Sequence, residues 1–144
     1  MLAFFGSFRI TELLPKKART IDPKVDLLRR DIELVSRKVG NVQKRFLKVH
    51  LKSPKETSGK NKQSITVEVF ETRNVFCPVQ SFIDYEQGFG HLTSKSAAFR
   101  NPYTGDALSQ DGFNKRLKKM FAPYVRYGSL TGHSFRSGLS SLLG

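Results

Sequence analysis

Two stretches, Phe46-Leu47-Lys48-Val49-His50-Leu51-Lys52 and Ser64-Ile65-Thr66-Val67-Glu68-Val69-Phe70, decide the fold. In the first, Leu47, Val49 and Leu51 alternate with Lys48, His50 and Lys52. In the second, Ile65, Val67 and Val69 alternate with Thr66 and Glu68. A period of two places successive side chains on opposite faces, so each stretch predicts a strand with one packed face. Between them runs SPKETSGKNK (53–62), polar and containing Pro54 and Gly59, which makes a long hairpin whose tip carries Lys55, Lys60 and Lys62. The packed face of this pair faces a core, and the other face offers positive charge.

Working outward, 31–35 predicts a first strand, followed by the basic turn SRKVGNVQKR (36–45) around Gly40-Asn41. Residues 15–30 form a basic connector in which Asp22, placed before Pro23, is positioned to cap a short helix. Upstream, LAFFGSFRITELL (2–14) predicts a helix that stops before Pro15, weakened by about 1 kcal/mol at Gly6. It opens on apolar residues with no capping signal, as expected of a chain cut from a longer one. Downstream, a helix is predicted after Pro78 over 79–85, ending near Gly88–Gly90, followed by a turn-rich stretch over 99–106. A further helix over 109–121 carries Phe113, Leu117 and Met120 on one stripe, with Lys115, Arg116, Lys118 and Lys119 on the others. The last helix, over 132–143, buries Phe135, Leu139 and Leu142 and shows His133 and Arg136 on a different face. The expected architecture is α+β in a single domain, with helices packed around a small three-stranded antiparallel sheet.

Composition bounds the function. The chain of 144 residues has 25 Lys and Arg against 12 Asp and Glu, a net charge of +13. A polyanionic partner follows, with nucleic acid ahead of a membrane surface, because the basic residues are spread over several elements instead of one amphipathic helix. The hydrophobic share of 38%, including 12 Phe, excludes a disordered basic tail. The single Cys77 excludes a disulfide framework and a cysteine-built zinc site, and points to a reducing compartment. No apolar run approaches the roughly 20 residues of a membrane span, and the apolar opening lacks a basic leader and is interrupted by Arg9 and Glu12. The expectation is a soluble intracellular protein.

Several motifs carry no chemistry. Residues 88–93 begin like a dinucleotide fingerprint but lack its third glycine, and Gly59-Lys60 lacks the upstream glycine of a P-loop. His50, His91 and His133 have no metal-ligand spacing, and Ser134 does not sit in G-x-S-x-G. Neither a metal nor a cofactor is implied.

Two arginines stand apart. Arg9 lies in an otherwise apolar stretch beside Phe5, Phe8 and Leu13, and a guanidinium there needs an anion. The anion is either Glu12 at i+3, an ordinary pair, or a phosphate gripped by the arginine fork. His133-Ser134-Phe135-Arg136 offers a second arginine with a histidine one turn away. Two arginines, a histidine and a hairpin lysine suit metal-free phosphoryl transfer: the arginines neutralise charge on non-bridging oxygens, and the other two move protons.

GSFRITELL (6–14) resembles the segment around the first catalytic arginine of tyrosine recombinases, the phage integrases and their relatives. LTGHSFRSGLSSLL (130–143) resembles that family's H-x-x-R segment, and LKVHLKSPKETSGK with ITVEVF resembles its β-hairpin bearing a catalytic lysine. VFCPVQSFIDY (75–85) and the 99–109 turn are similar to connecting segments of eukaryotic mobile-element members.

The resemblance implies a partial catalytic domain over 1–144, without the family's N-terminal core-binding domain or its C-terminal nucleophile segment. Arg9 and Arg136 match the two arginines, Glu12 the acidic residue supporting the first, and His133 the histidine beside the scissile phosphate. Lys55 matches the general acid, with Lys52 and Lys60 as competitors because Pro54 blurs the loop register. Lys48, Lys52, Lys60, Lys62, Lys115, Arg116, Lys118 and Lys119 are the expected DNA contacts. Tyr85, Tyr103, Tyr124 and Tyr127 all precede His133, so none matches the nucleophile, and Ser137 stands where many members have histidine. The implied activity is DNA recombination and integration through a phosphotyrosyl intermediate in intact relatives. Their partner is double-stranded DNA, on which they form homo-oligomers, and the place is nuclear in a eukaryote. This chain is expected to bind DNA without cleaving it. The alternatives are a non-catalytic basic DNA- or RNA-binding module and, less favoured by the integrase-like segments, a type IB topoisomerase.

Overall fold

Strand β2 (Val42–Leu51) lies at the centre of a three-stranded antiparallel sheet, between β1 (Ile32–Val39) and β3 (Ile65–Phe70). The computed structural model describes residues 6, 8–52, 63–89 and 93–123. Within them the chain order is α1 (Ile10–Leu13), a 3₁₀ turn (Arg29–Asp31), the three strands, α2 (Pro78–Phe89) and α3 (Gln110–Phe121). The α+β class and the small three-stranded sheet are present as expected.

The register follows from the alternation. Ile32, Val49 and Val67 stand opposite one another, as do Leu34, Leu47 and Val69. Leu47 and Val49 are 0% exposed, packed with Phe8, Leu13, Val79 and Phe82 in one cluster. Each such buried side chain contributes about 1.5–3 kcal/mol. On the opposite face Phe46 is also buried, because Phe70 stacks on it at 5.1 Å and the Arg37 guanidinium lies 4.6 Å from its ring centre. That face is therefore not merely a charged surface.

Several elements differ from their predicted extents. The first strand runs to Val39 instead of stopping near 35, and the turn shrinks to Gly40-Asn41, with Gly40 in the left-handed region at φ 62°. The basic residues of 36–45 do not break the ladder because two are neutralised across it, Arg37 by Glu68 at 2.7 Å and Arg45 by Glu71 at 3.0 Å. β1 is an edge strand that joins the core only at Ile32, so Leu34 is 44% exposed although its partner on the central strand, Leu47, is sealed. Ile65, predicted on the packed face, is likewise exposed at the end of β3, and Met120 is exposed near the end of α3.

The helix predicted over 2–14 is, within the described residues, a single turn. Phe8 and Arg9 are not helical, and the Phe8 ring folds back over Gly6 so closely that a Cβ there would collide with it. Pro15 holds the preceding Leu14 extended, at φ −118° and ψ 139°. The expected cap at Asp22 forms only a turn, its carboxylate accepting from the Lys24 N–H at 2.9 Å. The predicted helix over 132–143 lies outside the described residues.

Helix α2 starts with Pro78 in its first position, where a missing N–H costs nothing. Buried Cys77 precedes it, and its sulfur accepts from the N–H groups of Thr72 at 3.4 Å and Gln80 at 3.5 Å. Burial raises the Cys77 pKa, but the donors converging on the sulfur outweigh it and leave the thiol below its ordinary value. Helix α3 is capped by Ser109, whose hydroxyl accepts from the Gly112 N–H at 3.1 Å.

Glu71 closes the end of β3 onto β2. Its carboxylate accepts from the Arg45 N–H at 2.8 Å and from the Arg45 guanidinium, and these bonds hold its pKa below the ordinary 4.5 against a smaller opposing effect of burial. A lowered carboxyl pKa stabilises the fold above the unfolded value and ceases to do so as the pH falls through the folded one. Glu71→Gln is therefore expected to lower the thermal midpoint at pH 7, and the gap to the parent should close as the pH drops below 4.5. Paired melts across that range check it.

Candidate functional site

Arg9 occupies the position just before α1 with an extended backbone, φ −75° and ψ 142°. Glu12 sits in the helix's only turn, and its carboxylate accepts from the Arg9 backbone N–H at 2.8 Å. This is one half of a capping box: the acid satisfies an N–H left unpaired at the helix start. Glu12 thus fixes the backbone from which the Arg9 side chain projects, and Arg9 itself is half-buried. The i+3 spacing that suggested an ordinary side-chain pair also serves this backbone contact.

A cavity of about 500 Å³ opens beside this turn. Its walls include Thr11 and Glu12 from α1, Leu51 at the end of β2, and Lys52 just after it. The turn next to Arg9 and the root of the 53–62 connection therefore meet at one cavity. Lys16, Lys17, Asp22 and Asp26 complete its charged lining. With Glu12 and Lys52 included, acids and lysines balance, so these walls alone exert no net pull on a polyanion. Gln110 at the start of α3 pins the corner after α1: its N–H donates to Pro15 O at 3.0 Å and its amide to Leu14 O at 2.9 Å.

Lys52 is held more tightly than an exposed strand lysine. Its ammonium contacts Asp31 Oδ2 at 2.7 Å, Pro23 O at 2.8 Å and Asp26 O at 3.2 Å. Its side chain is 17% exposed and that of Asp31 9%. Three protons meet three oxygens, which joins the 22–31 segment to the end of β2. Lys48 stands on the outer sheet face directly between Glu33 and Glu68 in the register. Lys115, Lys118 and Lys119 are exposed on α3, while the Arg116 guanidinium lies 4.5 Å from the ring centre of Tyr103. Lys55, Lys60, Lys62, His133 and Arg136 lie outside the described residues.

Arg29, which no motif marks, and Tyr85, weighed above only as a nucleophile, organise the surroundings. Arg29 pairs with Glu86, donates to Ile32 O at 2.6 Å and lies 5.1 Å from the ring centre of Phe82. The Tyr85 hydroxyl donates to Ala98 O at 3.2 Å and accepts from the Arg100 N–H at 2.8 Å. Burial raises the Tyr85 pKa, partly opposed by that N–H, so this phenol stays protonated and braces the loop after α2. Among the described residues no group of three His, Cys, Asp or Glu is placed to hold a metal, and no helix is long and apolar enough to cross a membrane.

Removing one member of a largely buried ion pair strands the other. Lys52→Met is expected to destabilise the fold by about 3 kcal/mol. Combining it with Asp31→Asn should recover part of that loss, as urea unfolding of the double-mutant cycle would show. A stability change under about 0.5 kcal/mol would instead make Lys52 an ordinary surface residue.

The chain matches no protein-family model, no curated protein and no solved structure.

Proposed function

We propose that this chain is part of a tyrosine recombinase catalytic domain and that it binds duplex DNA through its basic surface. The observation that carries the reading is the meeting of two segments at one cavity. Thr11 and Glu12, in the turn that directly follows Arg9, and the end of β2, which leads into the segment bearing Lys55, both line it. Phosphoryl transfer without a metal needs that meeting, because arginine charge and a proton donor must act on the same phosphate.

In this reading Arg9 and Arg136 grip the non-bridging oxygens of a DNA phosphate, and the fork geometry lets each arginine do so bidentately. Glu12 acts as a positioning residue through the Arg9 backbone. Lys55 donates the proton taken up by the leaving 5′ oxygen, and His133 hydrogen-bonds the phosphate. The nucleophile is a tyrosine C-terminal to His133, a position that none of Tyr85, Tyr103, Tyr124 and Tyr127 occupies.

Binding is tested by titrating a duplex at several salt concentrations. Neutralising about five phosphates gives a log–log slope near −4.5, and a slope near zero overturns the electrostatic reading. Chemistry is tested on nicked duplexes. The 144-residue chain is expected to leave no SDS-resistant adduct. A longer chain with a tyrosine beyond His133 should form one, and Arg9→Ala should abolish it. An adduct at Tyr124 or Tyr127 would overturn the assignment of the nucleophile. Salt-dependent binding with no adduct from any longer chain would favour the non-catalytic binding module.

A further inference from the structure

A second concavity, of about 400 Å³, lies where residues 18–21 cross the loop after α2. Arg19, Lys95 and Arg100 line it, together with the hydroxyl-bearing Thr93 and Ser96 and a single carboxylate, Asp106. These residues come from two parts of the chain about eighty positions apart, and backbone bonds hold them together. The Ala107 N–H donates to Ala18 O at 3.3 Å, and an antiparallel bridge joins Arg100 to Ala107.

The charges here do not cancel. Asp106 meets Arg19 at 3.5 Å, a long single contact between exposed groups and so a weak one. Neither Lys95 nor Arg100 forms an ion pair with a described carboxylate. The Arg100 guanidinium contacts only a neutral oxygen among the described residues, Ser96 Oγ at 3.2 Å. Its backbone is fixed by the Tyr85 hydroxyl, so the base of the arginine is rigid while most of its donors lack an anion. This contrasts with Arg29, Arg37 and Arg45, each of which is matched to a glutamate. It contrasts also with the first cavity, where acids and lysines balance.

We propose that this cleft holds one phosphate of the DNA backbone, between Arg100 and Lys95, with one hydroxyl of the hydrogen-bonded Thr93–Ser96 pair, 2.8 Å apart, as a neutral donor. The proposal rests on the DNA-binding reading above and adds to it a contact away from the cavity beside α1. Such a contact fixes the register of protein on duplex and carries no base specificity.

The test has two arms. In the first, pyrophosphate is titrated into the chain and the backbone amides of Ser96, Gly105 and Ala107 are followed by NMR. Saturable shifts are expected in the parent and their loss in Lys95→Gln and in Arg100→Gln. In the second, duplex binding is measured against salt. Each of the two variants should reduce the slope by about 1 and weaken binding about eightfold near 0.1 M salt, while thermal melts confirm an intact fold. Lys95 is exposed, so its variant tests the cleft even if Arg100→Gln disturbs packing. Normal duplex binding with an unchanged slope in both variants overturns the cleft and leaves the DNA reading standing. Pyrophosphate saturation without duplex binding supports the phosphate site and overturns the DNA reading. Loss of neither slope nor shifts in either variant overturns the proposal outright.

Discussion

The fold depends on sealing one face of β2. Leu47 and Val49 sit on the middle strand of a sheet too small to have a second interior strand, so every other element is placed by how it covers them. The segment around α1 brings Phe8 and Leu13 to that face, and α2 brings Val79 and Phe82. The edge strand β1 joins the core only at Ile32, which is why the same face goes from sealed at Leu47 to open at its neighbour Leu34. Beyond that line the β1–β2 hairpin is held by its ladder and by cross-strand charge pairs.

A strongly basic chain has to fold against its own repulsion. Here the few acids are spent at structural joints: Glu71 at the end of β3, Glu68 on the outer face, Glu86 on α2 and Asp31 under Lys52. Each lies beside a cation that is far away in sequence, so fixing the fold and neutralising charge are done by the same contacts. Among the described residues the cations left over include Lys115, Lys118 and Lys119 on α3 and Lys95 at the cleft beneath the 93–107 loop, with Lys16, Lys17, Lys38, Lys44 and Arg73 exposed elsewhere.

The strands were legible because a period of two is a local property of the sequence that survives whatever packs against it. Ser109 at the head of α3 and Pro78 at the head of α2 were legible for the same reason. The helix over 2–14 was not, since its apolar pattern fits a helix and only the fold of the Phe8 ring over Gly6, together with Pro15, cuts it to one turn. Glu12 was one of two partners weighed for Arg9, a phosphate being the other, and the pattern could not tell a contact to the guanidinium from one to the backbone N–H. Lys52 was read from alternation as an outward charge. Its capture by Pro23, Asp26 and Asp31 arises from the course of a connector that has no periodic signal. Arg19 and Arg100 could not be joined by any spacing rule, because only the crossing of two loops brings them together.

Cys77 caps α2 with sulfur where most helices use an oxygen, and the sulfur also receives the Thr72 N–H from the segment that leaves β3. The thiol therefore belongs at once to the start of a helix and to the end of the sheet. An alkylating reagent can reach it only when that corner opens, and opening also removes the N–H donors that lower its pKa, so the exposed sulfur then reacts as an ordinary thiol. The labelling rate of this one side chain accordingly reports how often sheet and helix part, a local unfolding that melting of the whole domain does not resolve. Once labelled, the sulfur is bulkier and a poorer acceptor, so the corner closes less well and the chemistry acts as a ratchet toward the open form.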